Sequence, residues 1–208
     1  MFSFPHLDIN VPILSFLLVG VGGQGTILAS NVLAELGLAL GYDAKKAEVH
    51  GMSQRGGSVI SHVRWGKEVH SPIISRGEVD ILVAFEKLEA IRFADQLRPE
   101  GVILINDQDI VPVTVSSGSF TYPSNESIKE AVQSFTKRDY WVKGVQIAES
   151  LGNNKVSNVV VLGALCGLLK QDPELWFPII SGKVPAKFID LNKEAFQLGR
   201  SEVEKLIA

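Results

Sequence analysis

Residues 18–37 read LVGVGGQGTILASNVLAELG. An apolar strand enters a run of glycines and a helix leaves it. Gly20, Gly22 and Gly25 fit the G-x-G-x-x-G spacing, with strand before and helix after. Glycines permit a tight turn and a close backbone approach. The helix start behind them presents unsatisfied N–H groups and the positive end of its dipole to an anion. Gly22, Gly23, Gln24, Gly25 and Thr26 are therefore candidate phosphate contacts. The other reading is that the glycines only let strand and helix pack closely.

Working outward, Ile13 to Val19 is a continuous apolar run, as expected of a central parallel strand. Leu28, Val32, Leu36 and Leu40 recur every four residues and place an apolar stripe on a helix that ends near Gly41, a natural C′ glycine. Residues 43–49 read as a short strand. SVISHVRW, 58–65, alternates, with Val59, Val63 and Trp65 on one face and His62 and Arg64 on the other. Gly66-Lys67 predicts a hairpin turn with a return strand that Pro72 either confines to an edge or ends. VDILVAF, 79–85, and VILIN, 102–106, read as buried strands around a helix EKLEAIRFADQLRPEG, its inner face Ala90, Phe93, Ala94 and Leu97, stopped by Pro99 and Gly101. VPVTV, 111–115, reads as one more strand. NESIKEAVQSFTK and VQIAESLG read as helices. Ser157 or Asn158 is placed to cap a buried helix VVVLGALCGLLK, Asp172 to cap the next with Pro173 at N1, and PAKFIDLNKEAFQLGRSEVEKLIA reads as a long last helix. The whole, 1–208, is expected to be a single α/β domain, doubly wound, with a mostly parallel sheet, helices on both faces and a β-hairpin excursion.

A second glycine site, HGMSQRGGS, spans His50 to Ser58. Arg55 followed by Gly56 and Gly57 sets a guanidinium beside bare backbone N–H groups, and Ser53 and Gln54 add hydrogen-bonding side chains. In an open α/β sheet both glycine loops would face one crevice. An isolated RGG would be a solvated surface turn; its place after a phosphate-type turn favours the functional reading.

The 208 residues carry a net charge of −3 and 46% hydrophobic side chains, with pI near 5.8 and mean hydropathy +0.19. No run of Lys and Arg gives a nucleic-acid footprint. The longest apolar runs are too short and glycine-rich to span a bilayer, and MFSFPHLDIN lacks the basic start of a secretory signal. A cytoplasmic protein is expected. The apolar balance fits a face covered by a partner, or equally a sheet buried on both faces. His50, His62 and His70 have no metal spacing, and Asp107 and Asp109 read as caps or solvated groups. Cys166 is the only cysteine; it cannot hold an iron–sulfur cluster alone and reads as a small core residue. An NAD site should show an acidic residue ending the second strand; Asp43 precedes that strand, and the loop after Glu48 is unusual for the role.

Together, GVGGQGTILASNVLAE, EVHGMSQRGGSVISHVRWG, SPIISRGEVDILVAFEKLEAIR and LNKEAFQLG resemble the gamma-type subunit of 2-oxoacid:ferredoxin oxidoreductases, with GMSQRGG closest to the indolepyruvate branch. The resemblance implies oxidative decarboxylation of an arylpyruvate, electrons passing to ferredoxin and the acyl group to coenzyme A. It implies that a large alpha subunit carries thiamine diphosphate, Mg and the 4Fe–4S clusters. In keeping with this division, the chain has no G-D-G motif and one cysteine. The domain would close over the partner's active site and help bind coenzyme A, with residues 22–26 toward the phosphates and Ser53, Gln54, Arg55, Gly56 and Gly57 in the cleft facing the partner. No residue here is expected to be catalytic. Two other classes stand beside it: a free-standing NAD(P)-binding oxidoreductase, and a purely structural interaction subunit.

Overall fold

A computed structural model of the chain describes residues 1–7, 9–50, 57–118 and 121–207. The strands are β1 Phe2–Phe4, β2 Ile9–Val11, β3 Ile13–Val21, β4 Asp43–His50, β5 Ser58–Gly66, β6 Val79–Ala84, β7 Leu97–Asn106 and β8 Asp139–Val142. The helices are α1 Thr26–Ala39, α2 Lys87–Phe93, α3 Val113–Ser116, α4 Asn125–Gln133, α5 Gly144–Ser150, α6 Ser157–Leu168, α7 Phe177–Ser181 and α8 Ile189–Ile207. β1 and β2 form a small antiparallel ribbon, and the other six strands one sheet in the order β4-β5-β3-β6-β7-β8.

β3, β6, β7 and β8 run parallel, while β5 is antiparallel to both β3 and β4. The sheet is thus mixed and mostly parallel, and the central strand has a parallel neighbour on one side only. Alternation along β3 sends Leu14, Phe16 and Leu18 into a core shared with α1, α6 and α8. Leu17 and Val19 point the other way, into a core with α2 and α4. Burial on both faces explains the near-continuous apolar runs of β3, β6 and β7.

Several local expectations are corrected. The hairpin is β4–β5, in register from Asp43↔Gly66 to His50↔Val59. No return strand follows Gly66; the chain from 67 to 78 is irregular, and Arg64 donates to the carbonyls of Ser71 and Ile73. The helix expected through Gly101 ends at Phe93, followed by a 3-10 turn at 94–96. β7 then starts before Pro99, which is accommodated where the β6–β7 register shifts between Val79 and Ile81, as an irregular edge of pairing allows. VPVTV contains the short helix α3. DYWV forms the edge strand β8, which the mixed polarity of that region conceals. Ser157 and Asn158 do not cap α6 through their side chains; Val156 is the N-cap residue. Asp172 does cap its turn, accepting from Glu174 N at 3.0 Å.

α1 closes as expected at Gly41, with Gly41 N on Leu38 O and Tyr42 N on Gly37 O. Its stripe is rotated: Ala29, Val32, Leu33 and Leu36 are fully buried, whereas Leu28 and Leu40 are half-buried. Trp65 of β5 fixes this face by donating its indole N–H to Leu33 O at 3.0 Å.

α6 is buried from Asn158 to Leu168, which is why its sequence has no polar face. It crosses α8 at a pair of glycines. A Cβ on Gly163 would lie 1.9 Å from Phe196 O, and a Cβ on Gly199 1.9 Å from Val160 O. Alanine is the better helix former by about 0.8–1 kcal/mol, so propensity alone favours Gly163→Ala. Overpacking, which costs about 1–3 kcal/mol or more, opposes it and should win, because the added Cβ would meet backbone, so the unfolding free energy falls or folding fails. Urea denaturation of Gly163→Ala and Gly199→Ala tests this; a stabilised variant would show that the helices do not touch backbone to backbone.

Candidate functional site

The glycine turn sits at the carboxyl end of β3, between β5 and β6. Its geometry is held from inside. The Gln24 side chain accepts from Val21 N at 2.7 Å and donates to Phe85 O at 2.7 Å and to Gln108 Oε1 at 2.8 Å. One amide therefore ties the ends of β3 and β6 to the chain that follows β7. Gly22 N donates to Gly57 O at 3.0 Å, joining the turn to the start of β5. The Thr26 hydroxyl is buried against Gly20 with no hydrogen-bond partner among the described residues. Of residues 22–26, then, backbone rather than side chain is what faces outward.

Gly25 is the N-cap of α1, left-handed at φ 80°, with no side chain to satisfy the first turn. Those N–H groups remain for solvent or a ligand. Gly25 also meets a neighbour: a Cβ there would fall 2.3 Å from Asn158 Nδ2. Asn158 belongs to the first turn of α6, so two helix N-termini converge here. Between them lies a cleft of about 420 Å³, lined by Gly23, Gln24, Gly25, Gln108, Asn154, Lys155, Ser157 and Asn158. Asn153 sets the second wall by accepting from Lys155 N at 3.1 Å. Lys155 is exposed and brings a cation to the rim. Converging helix N-termini and a lysine suit a phosphate or carboxylate.

The sequence reading missed Gln108, Asn154 and Lys155 and took Ser157 and Asn158 only as caps. The turn-forming Gly152-Asn153-Asn154 before a wholly apolar helix was the available signal. Of the second glycine site, Ser53, Gln54, Arg55 and Gly56 lie outside the described residues. The end of β4 and the start of β5 lie at the same edge of the sheet as the turn, and Gly57 touches it directly.

Beside the cleft, the carboxyl ends of β6 and β7 carry a charged cluster. Lys87 is 3% exposed as a side chain and pairs with Asp109 at 2.6 Å and Asp107 at 3.3 Å; it also donates to Asn125 Oδ1 at 2.6 Å. Burial works against its charge, but the two aspartates outweigh that and hold its pKa above the ordinary lysine value. Asp107 and Asp109 are therefore partly solvated, as expected, but also serve as counter-ions of a buried lysine. Glu86 accepts from Tyr122 OH, Ile110 N and Glu89 N. Glu89 accepts from Ser58 and Arg92, and burial raises its pKa. These contacts pin the loops around the cleft.

The dinucleotide reading loses its geometry. The strand after α1 is not β3's neighbour, because β5 lies between them. Asp43, at the far end of β4, accepts from Val69 N at 2.7 Å, and Glu48 pairs with Lys46. Neither stands where a ribose-binding carboxylate would. Cys166 is buried and accordingly inert: burial pushes its thiol up to about 12.

Residues 15–202 match the model of the pyruvate ferredoxin/flavodoxin oxidoreductase family. The chain belongs to that family. It is 38% identical to indolepyruvate oxidoreductase subunit IorB of Pyrococcus horikoshii, over 93% of this chain and 97% of the relative. It is 36% identical to the protein of that name from Archaeoglobus fulgidus, over 91% and 94%. The family member's fold matches the keto/oxoacid ferredoxin oxidoreductase gamma subunit of Geobacter sulfurreducens with TM-score 0.67 at 24% identity, covering 94% of this chain and 99% of that one. It also matches part of a 2-oxoglutarate:ferredoxin oxidoreductase from Magnetococcus marinus, solved with 2-oxoglutarate, coenzyme A and succinyl-CoA bound, with TM-score 0.70 at 19% identity over 94% of this chain and 32% of that one.

The Gln24 amide is expected to be structural. Gln24→Ala removes three hydrogen bonds at once and should cost about 1–3 kcal/mol in unfolding free energy, read from chemical denaturation. An unchanged midpoint would mean that the turn is held by its backbone alone.

Proposed function

We propose that this chain is the non-redox, gamma-type subunit of an indolepyruvate-type 2-oxoacid:ferredoxin oxidoreductase, acting as one domain over residues 1–208. It works with a large alpha subunit that carries thiamine diphosphate, Mg and the 4Fe–4S clusters, in the cytoplasm, with ferredoxin as the acceptor. Its own part is to bind coenzyme A jointly with that partner and to close over the partner's active centre.

The observation that carries this reading is the cleft between the starts of α1 and α6. The bare backbone of Gly23 and Gly25, the first-turn N–H groups of α1 and the Lys155 ammonium form a cradle that fits a diphosphate. Gly57 borders the turn, and Ser53, Gln54, Arg55 and Gly56, which precede it in the sequence, are proposed to face the partner. Coenzyme A, when bound, supplies the thiol that accepts the acyl group. The chain's own residues hold its phosphates, orient it and exclude water from the reacting centre. One cysteine, buried in α6, leaves this chain no cluster ligands.

Three of the ten large exposed apolar side chains among the described residues support a covered edge. Ile27 at the start of α1, Val49 near the end of β4 and Val111 after β7 are 41%, 51% and 50% exposed, all at the carboxyl end of the sheet. These three suit an interface there. No helix among the described residues is long and apolar enough to cross a membrane.

Native purification from anaerobically grown cells should return this chain with a large cysteine-rich partner. Recovery of the chain alone, or only with itself, overturns the reading. In the assembled enzyme, Lys155→Ala should raise the KM for coenzyme A about three- to tenfold, the worth of roughly 1 kcal/mol of phosphate contact, with kcat at saturation unchanged. Arg55→Ala should act in the same direction. A KM unmoved by either variant removes the phosphates from this cleft.

A further inference from the structure

A groove of about 680 Å³ runs along the free edge of β8, at the opposite end of the sheet from the β4–β5 hairpin. β8 pairs with β7 in parallel, from Ile103↔Asp139 to Asn106↔Val142. Ile103 N donates to Arg138 O at 3.0 Å and Asp107 N to Val142 O at 2.8 Å. The main-chain groups of a strand turn alternately to its two sides. Tyr140 and Val142 therefore face β7, and the N–H and C=O of Asp139 and Trp141 face outward. Among the described residues no main-chain group bonds to them. An open edge of this kind is a template for another strand. The groove has unlike walls. On one side stand Asn125, Lys129 and Gln133, every fourth residue of α4. On the other are Leu206 of α8, 53% exposed, and Tyr140, which packs on the α8 side of the sheet. The Asp139 carboxylate is already engaged, accepting from Trp141 Nε1 at 2.8 Å and Gln133 Nε2 at 3.3 Å, and Arg138 pairs with Glu100. Lys129 and Lys137 are exposed and have no carboxylate partner among the described residues.

We infer that β8 takes up an extended segment of the large partner subunit as a further strand of the sheet, through main-chain pairing with Asp139 and Trp141. The inference rests on the reading of this chain as one subunit of a complex and names where part of the partner sits. Strand addition to an open edge draws affinity from main-chain bonds and specificity from alternate side chains. The walls set that alternation. Side chains of the added strand on the α4 side meet Lys129, with Lys137 just before β8, and suit Asp or Glu. Those on the other side lie along Tyr140 and Leu206 and suit Val, Ile or Leu. The occupant is thus a strand of alternating acidic and apolar residues. A second copy of this chain fits less well. Antiparallel pairing of two β8 edges keeps both α4 helices on one face of the joined sheet and sets the Lys129 side chains against each other, like charge on like. The groove also adjoins the edge proposed above as an interface: Asp107 lines it and leads into the segment that carries the exposed Val111.

Amide hydrogen exchange of the full chain, alone and in the natively purified complex, tests this. In the lone chain the Asp139 and Trp141 amides should exchange freely, while those of Tyr140 and Val142, turned toward β7, are slow. In the complex the Asp139 and Trp141 amides should slow about a hundredfold or more. A complex in which they exchange as in the lone chain overturns the inference and leaves the proposed function standing. Recovery of the chain without a large partner overturns both. Protection that appears in the lone chain as its concentration rises makes the occupant a second copy and also overturns the inference. Two variants separate the main-chain and charge contributions. Proline is tolerated on an edge strand whose N–H faces out, so Asp139→Pro keeps the pairing with β7 and removes one outward donor. Lys129→Glu changes only an exposed side chain. Each should weaken association of the subunits about five- to tenfold, and Lys129→Arg should leave it unchanged. Association unmoved by both Asp139→Pro and Lys129→Glu removes the partner from this edge.

Discussion

The backbone contact between α6 and α8 decides where everything else in this fold can go. Gly163 and Gly199 let each helix press on a carbonyl of the other, with no side chain between them. Gly167, one turn along α6, continues the approach beneath Val203 and Arg200. A separation this small lets α6 sit deep in the core it shares with α1 and the sheet, where all its residues from Asn158 to Leu168 are buried. The position of its first turn follows. That turn ends against Gly25, and a crossing with larger residues would push Asn158 away from the glycine turn and open the cleft wall. A packing constraint between two remote helices thereby sets the geometry of the binding edge.

At that edge, stability and recognition are divided between side chains and backbone. Gln24, Asn106 and Gln108 form a small amide lattice: Asn106 Oδ1 accepts from Gly144 N at 3.0 Å, and its Nδ2 donates to Phe85 O and Gln108 Oε1, each at 3.2 Å. The Lys87 and Glu86 clusters clamp the loops beyond it. Buried ion pairs repay their desolvation only with good partners, and Lys87 has two carboxylates and an amide. With the side chains engaged in this way, what remains outward is glycine backbone, helix-start N–H groups and Lys155. Such a surface has the donors that suit an anion and no side chain placed for acid–base chemistry. It suits a subunit whose family relatives act as parts of larger oxidoreductases.

The fold was largely legible because its signals are local. Apolar runs marked β3, β6 and β7, and the glycine turn with its strand and helix was readable from 20 residues. The misreadings share a cause. Gly66-Lys67 has hairpin chemistry, but residues 67–78 are held by Arg64 and by Asp43 on Val69, contacts distant enough in sequence to leave no periodic trace. DYWV became a strand because β7 offered an open edge, and α2 stopped early because the sheet drew Leu97 into register with Val79. Lys87 and Asp107 or Asp109 are some 20 residues apart; nothing in either stretch announces that a lysine will be buried where two loop aspartates arrive.

By itself the sequence determined the alternation of strand and helix, the glycine turn as a strand-to-helix connection of bare backbone, the buried character of α6 and the single cysteine. These depend on periodicity, backbone freedom and residue count, all properties of a few neighbouring positions or of composition. Only the tertiary structure decided the strand order that separates β4 from β3, and with it the loss of a ribose-binding carboxylate. It alone brought Lys155 and Asn158, some 130 residues from the glycine turn, to the opposite wall of one cleft. Those outcomes follow from which surfaces pack together, and a chain read in order carries no measure of the distance between its own distant parts.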